Sequence, residues 1–181
     1  FSDYTNLSLN LFGLNASRKA LGFRTNRVSQ PDDLSEPREL LVDNFRNWGA
    51  ELRVLSRYSL GENESALLLG GKIYNTNNDQ RQGPGSNASN ADFSFADDTF
   101  PNYERQAAFD FPNFNLALFG ENVFNISDDF NLTPGFRLEH IKTESIGSYR
   151  NVVLDLAGNP LLNEEIADNR TFDRTFLLMG L

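Results

Sequence analysis

The side chains that could do chemistry in this sequence are cations suited to binding rather than groups suited to catalysis. His140 is the only histidine and there is no cysteine. A transition-metal site of the usual kind and a disulfide framework therefore both lack their ligands. Gly83-Pro84-Gly85-Ser86 has neither the lysine nor the following helix of a phosphate-cradling loop. No serine sits in a nucleophile elbow. Asp97-Asp98 and Glu164-Glu165 could hold Ca²⁺, although acidic loop pairs of this kind are ordinarily just solvated. No enzyme activity, catalytic residue, cofactor or metal is expected. The segment 17–27 stands out, with Arg18, Lys19, Arg24 and Arg27 and no acid. Arg81 and its neighbour Gln82 precede the Gly83–Ser86 stretch, a flexible tip that could fold over a ligand. Such cations favour an anion, either a chelate carrying carboxylates or a lipid phosphate, and arginine offers carboxylates a planar fork. The plainer alternative is a strand extension with solvated arginines.

The elements that must position these residues read as strands. Leu7, Leu9 and Leu11 alternate with Asn6, Ser8 and Asn10, which is period-two patterning over residues 4–14. In 48–60, Trp48, Ala50, Leu52, Val54, Tyr58 and Leu60 share one face, and Glu51, Arg53 and Arg57 take the other. In 64–74, Leu67, Leu69 and Ile73 oppose Lys72 and Tyr74. In 114–126, Phe114, Leu116, Leu118, Phe124 and Ile126 oppose Asn115 and Glu121. In 130–143, Leu132, Pro134, Phe136 and Leu138 oppose Thr133, Arg137 and Glu139. A sixth strand starts near Phe172, with alternation too poor to assign its faces. Pro134 cannot donate a ladder hydrogen bond, so it predicts a break, a bulge or an edge.

Connections alternate in length. Gly61-Glu62-Asn63 and Ser127-Asp128-Asp129 are short hairpin turns, whereas 15–47, 75–113 and 144–171 read as long links. Long structureless loops are uncommon in compact domains. Recurring at every second connection, they would all emerge at one end of an antiparallel sheet. Short turns at one end and long loops at the other are the pattern of a transmembrane β-barrel. Twelve residues at about 3.3 Å each, tilted about 45°, rise roughly 28 Å, enough for its apolar band. Trp48 and Tyr58 stand ten residues apart on one face, as do Phe114 and Phe124, the spacing of two aromatic girdles. The fold expected is all-β: a partial barrel of about six strands with short periplasmic turns and long extracellular loops. The apolar set would form the convex, lipid-facing side. Glu51, Arg53, Arg57, Lys72, Glu121, Arg137 and Glu139 would line the lumen, with opposite charges on adjacent strands pairing.

The chain has 181 residues and a formal charge of −9. That balance excludes nucleic acid as the expected partner. No apolar stretch approaches the ~18 residues of a membrane helix. The sequence opens and closes inside strand patterns, so it reads as a piece of a longer polypeptide.

Two segments carry a family resemblance. The run Phe114-Asn115-Leu116-Ala117-Leu118-Phe119-Gly120-Glu121-Asn122-Val123-Phe124-Asn125-Ile126, followed by Leu132-Thr133-Pro134-Gly135-Phe136-Arg137-Leu138-Glu139, resembles the mid-barrel hairpin of TonB-dependent outer-membrane receptors. Asn47-Trp48-Gly49-Ala50-Glu51-Leu52-Arg53 looks like another strand of that family. Residues 82–86 and 91–93 look like its ferric-citrate-type subgroup. The resemblance implies that residues 1–181 are part of a barrel domain whose plug domain and remaining strands lie outside this sequence. It implies a cell outer-membrane location and uptake of a ferric chelate, ferric citrate or another siderophore. The implied partners are that chelate, outer-membrane lipid and lipopolysaccharide, and TonB acting through the plug. A soluble all-β binding or adhesion module and a passive porin are the alternatives.

Overall fold

Long runs of Leu, Val, Phe, Tyr and Thr, punctuated by Gly and Asp-Asp, favour pleated strands joined by tight turns. The computed structural model describes residues 4–23, 31–96, 103 and 105–181. Among them the chain forms strands and no helix: β1 (Thr5–Gly22), β2 (Glu39–Leu60), β3 (Asn63–Pro84), β4 (Ala107–Ser127), β5 (Phe130–Leu132), β6 (Gly135–Leu154), β7 (Pro160–Ala167) and β8 (Arg170–Gly180). All belong to one antiparallel sheet, which is open rather than closed into a barrel. The path runs β1-β2-β3-β4-β6. β5 lies beside β4, and both β7 and β8 lie beside β6. β7 and β8 keep the same register along β6, so they act as one strand interrupted at Asp168-Asn169. β5 and β6 are likewise one strand interrupted at Thr133-Pro134, the break that Pro134 predicts. The eight segments make six long strands.

Both short turns occupy two residues rather than three. Gly61 and Glu62 join β2 to β3, with Asn63 already paired to Leu60. Gly61 has φ of 65°, as the first central residue of a type II′ turn requires. Asp128-Asp129 joins β4 to β5 without any positive φ. There the register slips between Asn125 and Ser127, a bulge that absorbs the mismatch. The opposite end of the sheet departs further from expectation. β1 continues to Gly22 and β2 starts at Glu39, β3 continues to Pro84 and β4 starts at Ala107. The long links therefore shrink to residues 23–38 and 85–106. The third, expected over 144–171, is mostly a β6–β7 hairpin whose link is only residues 155–159. In the β3 extension alternation fades because both faces are polar, as in Thr76-Asn77-Asn78-Asp79-Gln80-Arg81-Gln82, although the ladder goes on unbroken.

Register fixes the faces. One row of cross-strand neighbours reads Leu9, Leu52, Gly71, Leu118, Leu138 and Leu177. The next reads Leu7, Val54, Leu69, Gly120, Phe136 and Met179. These side chains are solvent-exposed: Leu52 is 44% accessible, Leu118 51% and Leu177 62%. Among the described residues only Leu40 and Ala117 are buried hydrophobics. A single-layer sheet has no second layer to cover it, so it has no core of its own. The apolar belt ends sharply toward the loop end at the row Gly13, Trp48, Asn75, Phe114, Lys142 and Asp173. Beyond that row the same face carries mainly polar residues, Asn15, Ser17, Lys19, Asn44, Arg46, Asn77, Asp79 and Arg81, with Leu21, Leu40, Val42 and Ile146 among them. β8, ambiguous from sequence, takes its faces from β6: Leu177 and Met179 join the belt, while Arg174, Phe176 and Leu178 face the other way.

Candidate functional site

The seven charged residues expected on the polar side all share one face. Asn10, Glu51, Lys72, Ala117, Glu139 and Phe176 form one row, and Ser8, Arg53, Gly70, Phe119, Arg137 and Leu178 form the adjacent one. Arg57 and Glu121 lie on this face nearer the two-residue turns, and neither has an ion pair among the described residues. The pairing differs from expectation. Arg53 bonds Glu51 at 2.6 Å and Arg137 bonds Glu139 at 2.7 Å, each along its own strand rather than across the ladder. The register explains this. Arg53 has Gly70 as its neighbour on β3, and Glu139 has Ala117 on β4. Neither neighbour offers a charge, so Arg53 and Glu139 each turn to the residue two positions along the strand, even though Glu51 faces Lys72 across the ladder. Glu139 also accepts a hydrogen bond from Asn115 Nδ2 at 2.6 Å.

Aromatic rings hold these cations in place. Phe12 lies over Gly49 and Phe119 over Gly70, each pair directly opposed in register. A side chain at either glycine would collide with the ring. Lys72 Nζ sits 5.5 Å from the Phe12 ring centre, and the Arg137 guanidinium sits 5.7 Å from that of Phe119, both within cation–π range. Phe12 also stacks on Tyr74 at 5.9 Å. With Leu14, Asn47 and Lys72 these rings line a shallow groove of about 370 Å³. Asn47 Oδ1 is buried in the sheet without a hydrogen-bond partner, as is Asn113 Oδ1 two strands away on the same row. No family model, curated protein or solved structure matches this chain. The groove and the cation rows thus stand on their geometry. They offer ring faces, fixed charges and amide acceptors. Among the described residues no group of histidines, cysteines or carboxylates is arranged to hold a metal ion.

Of the six residues expected to capture an anion, the four that are described divide between the two faces of the sheet. Arg24 and Arg27 lie outside the described residues. Arg18 and Lys19 are strand residues of β1, not loop residues, and they point to opposite faces. Arg18 is on the polar face and its guanidinium is already engaged. Its Nε donates to Asp43 Oδ2 at 2.6 Å, and a second nitrogen contacts the same carboxylate. Gln80 Nε2 donates to the other Asp43 oxygen at 2.9 Å, and Asp43 is only 4% exposed. Gln82 shares the polar face with Arg18. Lys19 and Arg81 share the belt face. A side-chain period of two, applied beyond the assumed strand ends, would have separated them.

Arg38 is a residue that sequence reading missed. Its Nε donates to the Ser86 carbonyl at 2.6 Å and its Nη2 to that of Asn90 at 2.9 Å. The Gly85 amide donates to the Arg38 carbonyl at 2.6 Å. One arginine thereby ties the segment after β3 to the start of β2. Its position four residues before Val42 gives no local indication of this role. The tight link 155–159 is also self-supporting. The Asp155 carboxylate accepts from the Ala157 and Asn159 amides at 2.8 Å each and from Asn159 Nδ2 at 2.9 Å. The Asn159 side chain, then its amide, holds the Asp155 carboxyl below its ordinary value of 3.8.

Proposed function

We propose that this chain is a segment of the barrel wall of a TonB-dependent outer-membrane receptor that takes up a ferric chelate such as ferric citrate. The exposed apolar belt carries this reading. Burying apolar surface is worth roughly 25 cal/mol per Å². A sheet with leucines open on all six of its long strands, and no layer of its own to cover them, is suited to an apolar solvent on that side. The belt is also of the right height. Twelve residues separate Trp48 from Leu60, roughly 40 Å along the strand and about 28 Å when tilted 45°, close to the ~30 Å of a bilayer's hydrocarbon. Two-residue turns at one end and longer links at the other fit a periplasmic and an extracellular side. A soluble adhesion module would need a second layer over the same leucines.

On this reading the polar face lines the lumen. Arg53, Lys72 and Arg137, braced by Glu51, Glu139 and two phenylalanine rings, form a wall of fixed charges past which an anionic chelate moves. No bond is made or broken in the cargo. Movement of a plug by an energised inner-membrane partner follows from the family resemblance.

The test has two stages. The chain, refolded with phosphatidylcholine vesicles, is expected to float with them and keep its β circular-dichroism signature. A monomer that stays folded in buffer without detergent or lipid would end the membrane reading. The receptor containing this chain is then titrated with ferric citrate. Absence of binding in a correctly inserted receptor would remove the chelate while leaving the barrel.

A further inference from the structure

We propose that the groove beside Phe12 and Tyr74 binds a single-ring aromatic acid whose carboxylate and hydroxyl sit at opposite ends of the ring. The site stands whether or not the sheet is in a membrane, because the groove lies on the face opposite the apolar belt. Its lining side chains come from three successive rows of the ladder. Lys72 stands in the row of Asn10 and Glu51. Phe12 and Tyr74 stand in the next row, with Gly49 between them. Asn47 stands in the row after that, with Leu14 and Thr76. The order along the strands is therefore ammonium, rings, amide. Same-face rows are two residues apart, so about 13 Å of sheet separates the Lys72 row from the Asn47 row. Lys72 has no ion pair among the described residues; Glu51, its neighbour across the ladder, is bonded to Arg53 at 2.6 Å. Phe12 is 41% accessible and Leu14 51%, although both stand on the polar face. Apolar surface is thus open between the two polar ends. Asn47 Oδ1 has no hydrogen-bond partner. A turn about the last side-chain bond, a soft one in asparagine, brings that oxygen into the groove.

Each feature of the groove selects a property of the ligand. A volume of about 370 Å³ is at the small end for a binding pocket and suits one six-membered ring with two substituents. Among the described residues no carboxylate lines the groove. Lys72 therefore attracts an anion, and a carboxylate gives it a charge-assisted hydrogen bond. The flank of Phe12 and Tyr74 accepts a flat ring by offset stacking. Asn47 Oδ1 can only accept, so the far end of the ligand carries a donor, a hydroxyl. A sugar acid fits poorly. Lys72, Asn47 and the Tyr74 hydroxyl are the polar side-chain groups of the lining. They cannot satisfy every hydroxyl of a sugar, and each one left unpaired opposes binding. A hydroxyl placed beside the carboxylate points at Lys72 rather than at Asn47. The same separation excludes a chelating arm of the cargo, because oxygens at opposite ends of one ring cannot close on one metal ion. The ligand is a metal-free acid held on the wall, distinct from a ferric chelate.

Equilibrium dialysis of the full chain in mild detergent tests this, with 4-hydroxybenzoate, 2-hydroxybenzoate, benzoate, glucuronate and citrate as iron-free probes. 4-Hydroxybenzoate is expected to bind saturably and most tightly. It should exceed benzoate by about fivefold, the difference made by one hydroxyl. Asn47→Ala should erase that difference while leaving benzoate affinity within about twofold. Lys72→Met, which keeps the length of the stem, should weaken both ligands by about tenfold. Lys72→Arg should keep both within about threefold. Far-UV circular dichroism and the emission of Trp48, the only tryptophan, establish that each variant is folded. The Asn47 readout is a ratio of two ligands on one protein, so partial loss of folded protein does not change it. Equal binding of the two hydroxybenzoates overturns the proposal, because the polar ends are then not read separately. Tightest binding by glucuronate or citrate overturns it by assigning the groove to a sugar acid or an aliphatic acid. A preference for 4-hydroxybenzoate over benzoate that survives Asn47→Ala overturns it as well. Absence of saturable binding by every probe in folded wild type removes the site.

Discussion

Phe119 lies over Gly70 with Arg137 beside its ring, so three residues on three strands hold one another. The ring fills the space a β-carbon would take, the device by which aromatic residues compensate for glycine in a sheet. Gly70→Val should push Phe119 off the ladder and release Arg137, costing about 1–3 kcal/mol. Urea unfolding in detergent measures this. Gly22→Ala, where nothing lies within 4 Å of the added carbon, should change stability by less than about 0.5 kcal/mol. Equal effects at the two glycines would contradict the ring placement. Asp155 supplies a second residue-scale expectation. Its carboxyl is held below 3.8 by donors from Asn159. The turn's stabilisation is therefore fully present above about pH 4 and is lost as pH falls through the lower, folded-state value. Hydrogen exchange of 155–159, compared at about pH 6 and about pH 3 after correction for intrinsic rates, should show protection only at the higher pH. Asp155→Ala should remove the difference.

At the scale of the element, the strands outrun the apolar belt. β2 and β3 each have 22 residues, or roughly 70 Å at about 3.3 Å per residue, whereas the belt takes only about 40 Å of that. The remainder of β3 has polar side chains on both faces, and that of β2 carries Leu40, Leu41, Val42 and Phe45, of which only Leu40 is fully buried, so hydrophobic burial does not by itself stabilise it. Backbone pairing does, together with side-chain bonds such as Arg18 and Gln80 to Asp43 and Arg46 to Asp79. The amides of 76–82, flanked on one side by β2 and on the other by β4, should exchange as slowly as a strand. The segment 86–94 should exchange as a loop. Fast exchange throughout 76–82 would restore a long mobile link there.

For the whole molecule, the decisive property is the contrast between one apolar exposed face and one charged face on a sheet without its own core. Leu118→Arg, in the middle of the belt, should destabilise the lipid-inserted protein by about 2–4 kcal/mol. Asn44→Arg, on the same face but beyond the Trp48 row, should cost less than about 1 kcal/mol. Refolding into vesicles across a urea series gives both values. Comparable costs at the two positions would mean that the belt is not in hydrocarbon.

The sequence by itself determined the strands of the belt, their order along the chain, the two tight turns and the split between Leu52, Leu69, Leu118 and Leu138 on one side and Glu51, Lys72, Arg137 and Glu139 on the other. These follow from a side-chain period of two, which a local pattern records wherever one face is apolar. Only the tertiary structure decided what lies past Trp48 and Lys142. There polar and apolar residues fall on both faces, so no clean alternation marks the strand, and pairing with a neighbour distant in sequence defines it instead. That pairing separates Lys19 and Arg81 from Arg18 and Gln82, joins Arg18 to Asp43, and folds 148–167 into a hairpin. Charge partners were decided the same way. Whether Arg53 meets a carboxylate across the ladder or along its own strand depends on the glycine that register places beside it, and register is a relation between strands that no single stretch of sequence contains.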